Sequence, residues 1–167
     1  MRLVDIILSF PAILLAILVL AILGPSLTSA VIAVGIAVVP GPARLARGST
    51  LRAREYEYVD AARAQGAGNR YILLRHILPN VIEPLIVLAT LTLGSAIIAL
   101  AALSFLGLGT QPPASDWGTL LSKGYEYMFE SWAEVTFPGI AIIIATLGVN
   151  LLGDGLSDAF DPRLWSR

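Results

Sequence analysis

The 167-residue chain has no cysteine, a single histidine (His76) and few charges: Asp, Glu, Lys and Arg make up 14% of it, against roughly 25% in a typical soluble domain. The missing cysteines exclude a disulfide-stapled secreted domain. With one histidine, neither a zinc nor a haem site is expected, and no cofactor is implied. A hydrophobic share of 56% excludes a disordered tail. A formal net charge of −1 excludes a basic nucleic-acid module. Mean hydropathy is +0.79.

What fills the chain is uncharged apolar sequence. Ile6–Gly24, Pro25–Ala43, Pro84–Ser115 and Val135–Gly153 carry no Asp, Glu, Lys or Arg. Each approaches or exceeds the roughly 20 residues that cross a bilayer as a helix. The helix satisfies its own backbone in lipid, and the period-2 alternation of a membrane barrel strand is absent. The expected fold is all-α, a polytopic membrane bundle of four helices near residues 4–24, 27–48, 80–107 and 134–154. The whole of 1–167 reads as one membrane domain, with a connector at about 49–79 and a second loop at about 109–133. Gly24-Pro25-Ser26 is a tight turn, so the first two helices form an antiparallel hairpin, with Ser26 or Thr28 capping the second. A cleaved signal peptide over Met1–Ala30 is disfavoured by Asp5, Pro11 and the length of the apolar run.

The basic residues are placed asymmetrically. Arg44, Arg47, Arg52, Arg54, Arg63, Arg70 and Arg75 lie in the central connector, Arg2 at the start, and Arg163 and Arg167 at the end. Four crossings put all of these on one side, which the positive-inside tendency makes cytoplasmic, with both termini inside. The opposite loop holds Lys123 against Asp116, Glu126, Glu130 and Glu134. Its Trp117, Tyr125, Tyr127, Phe129 and Trp132 fit an interfacial aromatic belt better than a docking surface.

Within the connector, 55–66 reads as a short helix rich in Ala, Glu and Arg, stopped by Gly66. Val59, Ala62 and Gly66 recur at helical steps, and the alanines and glycine form a small-side-chain face that another protein could approach, beside polar Asp60, Arg63 and Gln65. A plain solvated helix explains the same pattern. Downstream, Tyr71, Leu74 and Leu78 share a face, His76 sits at the membrane boundary, and Leu78-Pro79-Asn80 is expected to break the chain. Glu83 then falls in the first turn of the third span, where the helix dipole favours a carboxylate.

Asp60-Ala61-Ala62, Gly66 and Ile77-Leu78-Pro79 resemble the EAA loop of ATP-binding-cassette importer permeases. Asp60 replaces the usual Glu, and one spacer before Leu78 is missing. Further segments resemble the dipeptide, oligopeptide and nickel branch, second permease subunit. They include Met1–Asp5 with Ser9-Phe10-Pro11, Leu23–Ser26, Pro40-Gly41, Arg75–Asn80 and Leu103–Gly109. Gln111-Pro112-Pro113, Trp117-Gly118 and the tail from Asn150 to Asp161-Pro162-Arg163 complete the series, in family order. The chain departs from the family at Leu100, often acidic there, and at Val39, often Trp. Family members usually have about six spans, so the sequence is expected to begin near the third, as a truncated product, a fragment or a short form.

The resemblance implies a permease of a bacterial or archaeal inner membrane that imports peptides or related small solutes. It would work with a homologous permease subunit, cassette ATPase subunits and an extracytoplasmic substrate-binding protein. It implies an ATPase-coupling helix carrying Val59, Asp60, Ala61, Ala62, Arg63 and Gly66. Chemistry would sit in the ATPase, since this chain has no phosphate loop of the Gly-x-x-x-x-Gly-Lys-Ser/Thr kind. The competing classes are an intramembrane enzyme, a channel or secondary transporter, and a structural membrane protein. Neither a buried acid nor a nucleophile with its base is present at membrane depth for the first two. Asp154, Asp158 and Asp161 read as a helix end and tail rather than a cation site. Peptides are favoured by resemblance alone; nickel, opines and sugars stay open. Thr92, Gly94 and Ser95 are candidates to line the path, and the faces at Gly35 and Gly94 are expected to be unpacked in the isolated chain.

Overall fold

The computed structural model describes residues 1–160; the expected tail at Asp161, Pro162, Arg163 and Arg167 lies outside the described residues. All regular structure within them is helical. The helices are α1 (Arg2–Leu8), α2 (Ala12–Leu23), α3 (Leu27–Val38), α4 (Pro40–Ala53), α5 (Glu57–Ala64), α6 (Asn69–Ile72), α7 (Leu78–Phe105), α8 (Trp117–Glu126) and α9 (Ala133–Phe160). A π-helical segment, Leu73–Ile77, joins α6 to α7.

Three helical runs among the described residues are long and apolar enough to cross a membrane: Leu27–Ala53, Asn69–Phe105 and Ala133–Ala159. The first expected span is not one rod. α1 and α2 meet at 100° across Ser9–Pro11, and they make a fourth crossing only if counted together. Pro11 explains the break, since its ring disfavours helix in the residue before it. Pro40 and Pro42 behave differently: at the start of α4 a missing N–H costs nothing, so α3 and α4 abut end to end.

Three turns follow from local chemistry. Gly24 adopts φ +82° between α2 and α3, and the Ser26 side chain accepts the Ser29 amide at 3.0 Å as the cap of α3. α7 ends where the Gly107 amide donates to Ser104 O and the Leu108 amide to Leu103 O, with Gly107 at φ +78°. That pair of bonds is the Schellman arrangement, and its expected apolar contact is present as Leu108 packs on the cluster holding Leu103.

That cluster, Ala16, Leu20, Ala30, Ala33, Val34 and Leu103, ties the α2–α3 hairpin to the end of α7. Its alanines let the backbones come close, the usual basis of helix association in lipid. α7 and α9 pack through glycine. A Cβ on Gly94 would overlap the Asn150 side chain, and one on Gly153 would stand 2.5 Å from Thr90 Oγ1. Gly94 is therefore buried and occupied, contrary to expectation; Gly35 does keep open space around it. The outward side of α9, from Phe137 through Ile144 to Leu151, is exposed apolar surface.

α8 occupies the 109–133 loop and is fastened by Asp116. Its Oδ1 accepts the Thr119 amide at 2.8 Å while Thr119 Oγ1 accepts the Asp116 amide at 2.8 Å, a reciprocal capping box. Its Oδ2 accepts the buried hydroxyls of Ser104 at 2.7 Å and Thr110 at 2.6 Å. Burial works against the charge of Asp116, but the hydrogen bonds from Thr110, Ser104 and Thr119 outweigh it and hold the carboxyl below its ordinary range. Gly118 makes this approach possible, since a Cβ there would run into the Ala101 carbonyl.

Candidate functional site

α4 completes the membrane-crossing run Leu27–Ala53 and ends in a tight turn, with Glu55 N bonded to Arg52 O at 3.1 Å and Tyr56 N to Ala53 O at 3.4 Å. Tyr56 is extended, and α5 starts after it. Alanines at 61, 62 and 64 favour the helix, Glu57 and Asp60 sit in its first turn, and Arg63 in its last. Those positions match the helix dipole at both ends. α5 has no side-chain cap hydrogen bond, so Asp60 does not act as a cap. It pairs instead with Arg63 at 3.1 Å, both groups largely in solvent, a contact of little energetic value.

Gly66 ends α5 at φ +81°, the left-handed region that costs other residues most. Its amide donates to Arg63 O at 2.9 Å and the Ala67 amide to Ala62 O at 3.1 Å, a Schellman closure. Open space surrounds Gly66. Within this chain it is needed for its backbone angle, not for close approach by another helix.

Of the six residues singled out from sequence, Val59 stands apart. It is wholly buried, in a cluster with Ala53, Ile72, Ile77 and Val81, and Ala62 and Ala67 pack against that cluster. Val59 and Ala62 therefore belong to an inner face, so the small-side-chain face expected over the alanines and Gly66 is turned inward at Ala62. A branched aliphatic next to alanine faces the nearest apolar wall, and here that wall is the foot of α7. Asp60, Ala61, Arg63 and Gly66 are exposed, together with Ala64 and Gln65.

The wall is built by the π segment. The Leu78 amide reaches back five residues to Leu73 O, so Leu78-Pro79 does not break the chain: the wide turn accommodates Pro79 and the run from Asn69 to Phe105 stays helical. A five-residue step also puts Ile72 and Ile77 on one side, with Val81 a further turn on. Tyr71, Leu74 and Leu78, the face a regular helix suggests, are exposed. Glu83 lies inside α7, not in its first turn, and receives no help from the dipole.

A polar bracket closes the site. Asn80 Nδ2 donates to His76 O at 2.7 Å and to the Tyr58 hydroxyl at 3.3 Å. Half-buried His76 lies between Tyr58, at 6.1 Å between ring centres, and Tyr71, edge-on at 5.6 Å. The pairing of Tyr58 with Asn80 is not foreseen from the sequence, where Asn80 counts only as part of a chain break and of the Arg75–Asn80 segment. The arrangement is mechanical: a short helix fixed on its inner side to a long one, with a small, polar outer side.

Residues 1–166 match the family described as binding-protein-dependent transport system inner membrane component. The chain is 50% identical over 165 residues to the dipeptide transport system permease protein of Alkalihalophilus pseudofirmus, covering 99% of this chain and 54% of that protein. It is 47% identical over 164 residues to the di/tripeptide transport system permease protein of Pseudomonas aeruginosa, covering 98% and 54%. The chain thus spans about half the length of the curated relatives it matches. Among solved structures, an inward-facing form of the MetNI methionine ABC transporter matches with a TM-score of 0.72 over 95% of this chain and 72% of that one, at 23% identity. That match is one of fold.

Proposed function

The chain belongs to the family of binding-protein-dependent transport system inner membrane components, and from that premise we propose that it is a permease subunit of an ATP-driven importer for short peptides or related solutes. The relatives named for dipeptide and di/tripeptide transport support the solute class. α5 is its ATPase-coupling helix. One observation carries this reading: an exposed Asp60-Ala61…Arg63-Ala64 surface on a helix whose inner residue, Val59, is buried against Ile77 on the run continuing into α7.

A push on α5 by a cassette ATPase subunit would be delivered to the run Asn69–Phe105 through Val59, Ile77 and the Tyr58–Asn80 bond. Small outer residues let an ATPase cleft close on the helix, and Asp60 and Arg63 supply polar register. ATP hydrolysis belongs to that partner. A homologous permease completes the pathway, and an extracytoplasmic binding protein delivers solute on the side of α8. Both termini and the arginine-rich connector face the cytoplasm.

The test is cross-linking in the assembled transporter. A single cysteine at Ala61, in a chain that otherwise has none, should cross-link to the ATPase subunit. A cysteine at Leu120 on α8 should not. Equal cross-linking from both positions would refute the assignment.

A further inference from the structure

Between α4 and the start of α7 lies a cavity of about 650 Å3 whose α4 wall has no part in the transport reading. Arg44, Gly48, Ser49 and Arg52 line it from α4, and Tyr56 and Asn80 close it. These α4 positions are spaced by three and four residues, so two exposed arginines and a half-buried serine border one open space. Arg44 is held by Asp5 of α1 at 2.7 Å. Arg52 has no ion partner among the described residues. Gly48 has no atom within 4 Å of where its Cβ would be, so no side chain of this protein fills that part of the cavity.

The depth of this cavity identifies its ligand. The run Leu27–Ala53 has 27 residues, about 40 Å of helix at 1.5 Å per residue, against a hydrocarbon core of about 30 Å. Counted from Leu27, Arg44 comes near the edge of that core and Arg52 at the level of the lipid headgroups. Beside it, α3, the start of α4 and α7 line an apolar cavity of about 660 Å3, with Val39, Ala43 and Leu85 in its wall. Guanidinium is the side chain best matched to phosphate oxygens, and basic pockets between membrane helices suit anionic headgroups.

We propose that this pocket holds the phosphate of an anionic phospholipid, with Arg52 as the main charge and Ser49 as a hydrogen-bond donor. The inference rests on the membrane-crossing reading of Leu27–Ala53 and not on the coupling role of α5.

Native mass spectrometry of the full purified chain, offered equal phosphatidylglycerol and phosphatidylcholine, tests it. Phosphatidylglycerol should be retained in preference. Arg52→Gln should lower its retention about fivefold, the effect of one arginine at a lipid surface. Gly48→Leu, which fills the pocket and keeps the charge, should lower it as much. Arg70→Gln, which removes a charge from the same connector outside the pocket, should leave it unchanged. Equal retention of both lipids, or equal loss in Arg52→Gln and Arg70→Gln, would overturn the proposal. Displacement of phosphatidylglycerol by excess inorganic phosphate would also overturn it, by showing a site for the free anion. The readout needs no ATPase and no knowledge of sidedness, so failure of the coupling reading would leave it intact.

Discussion

Val59 on the connector helix α5 and Ile77 at the end of the π segment are buried in one apolar cluster. The two marks of the connector motif, the Asp-Ala-Ala segment and the Ile-Leu-Pro segment, are therefore in physical register. Val59→Ala should cost about 2 kcal/mol, the lower half of the value for burying such a side chain. The loss should be local, seen as faster amide exchange across 57–64 while α9 is unaffected. Uniform acceleration along the whole chain would contradict a local anchor.

Asp116 holds α8 to the end of α7. Asp116→Ala removes a cap worth about 1 kcal/mol and strands the buried hydroxyls of Ser104 and Thr110, at about 1–3 kcal/mol. Because its folded pKa is lowered, the ionised carboxylate stabilises the fold above the unfolded-state pKa of about 3.9. That contribution is lost as pH falls from there through the lower folded value. Thermal unfolding at neutral pH and at about pH 3 should show the gap between wild type and Asp116→Asn narrowing in acid. A gap that widens in acid would contradict the assignment.

The glycines rank by what a methyl group would meet. Gly118→Ala drives Cβ into the Ala101 carbonyl, and Gly124→Ala places it 2.6 Å from the Glu134 carbonyl oxygen, both rigid backbone. Each should cost about 1–3 kcal/mol through overpacking. Gly94→Ala meets the Asn150 side chain, which can swing aside, and should cost less. Gly35→Ala has free space and should stabilise its helix by up to about 1 kcal/mol. Denaturation midpoints in detergent check the order; Gly35→Ala as the worst of the four would contradict the packing.

Much of this was legible in the sequence. Uncharged apolar runs marked α3, α7 and α9 because nothing but a membrane helix accommodates them, and Gly66 announced the end of α5. Pro11 signals a kink in the first span, but hydropathy runs straight across the uncharged Ser9–Pro11, so a bend as large as 100° is not legible there. The inner face of the connector was misread for a geometric reason. A period of 3.6 selects Tyr71, Leu74 and Leu78, whereas the π turn shifts the buried set to Ile72 and Ile77. Asp116 was counted as a loop charge, since its partners Ser104 and Thr110 come together only in the folded chain.

Sidedness has its own test. Single cysteines at Ser49 and Ser122 should label from opposite faces of the membrane, Ser49 from the cytoplasm. Labelling of both from one face would remove the topology on which the coupling assignment depends.

The most direct test of the central claim is substrate-stimulated ATP hydrolysis in a transporter reconstituted with the proposed permease and ATPase partners. Ala61→Trp puts a bulky group on the exposed side of α5 and disturbs nothing inside. Gly66→Leu forces a left-handed angle on a side chain that disfavours it by about 1–2 kcal/mol, in space that is otherwise free. Asp60→Ala removes only an exposed ion pair, so the fold should lose no more than about 1 kcal/mol, and stimulation should weaken. Both Ala61→Trp and Gly66→Leu should abolish stimulation while the chain still inserts in the membrane at normal levels. Full stimulation in both variants would contradict the coupling role and leave α5 a solvated connector helix.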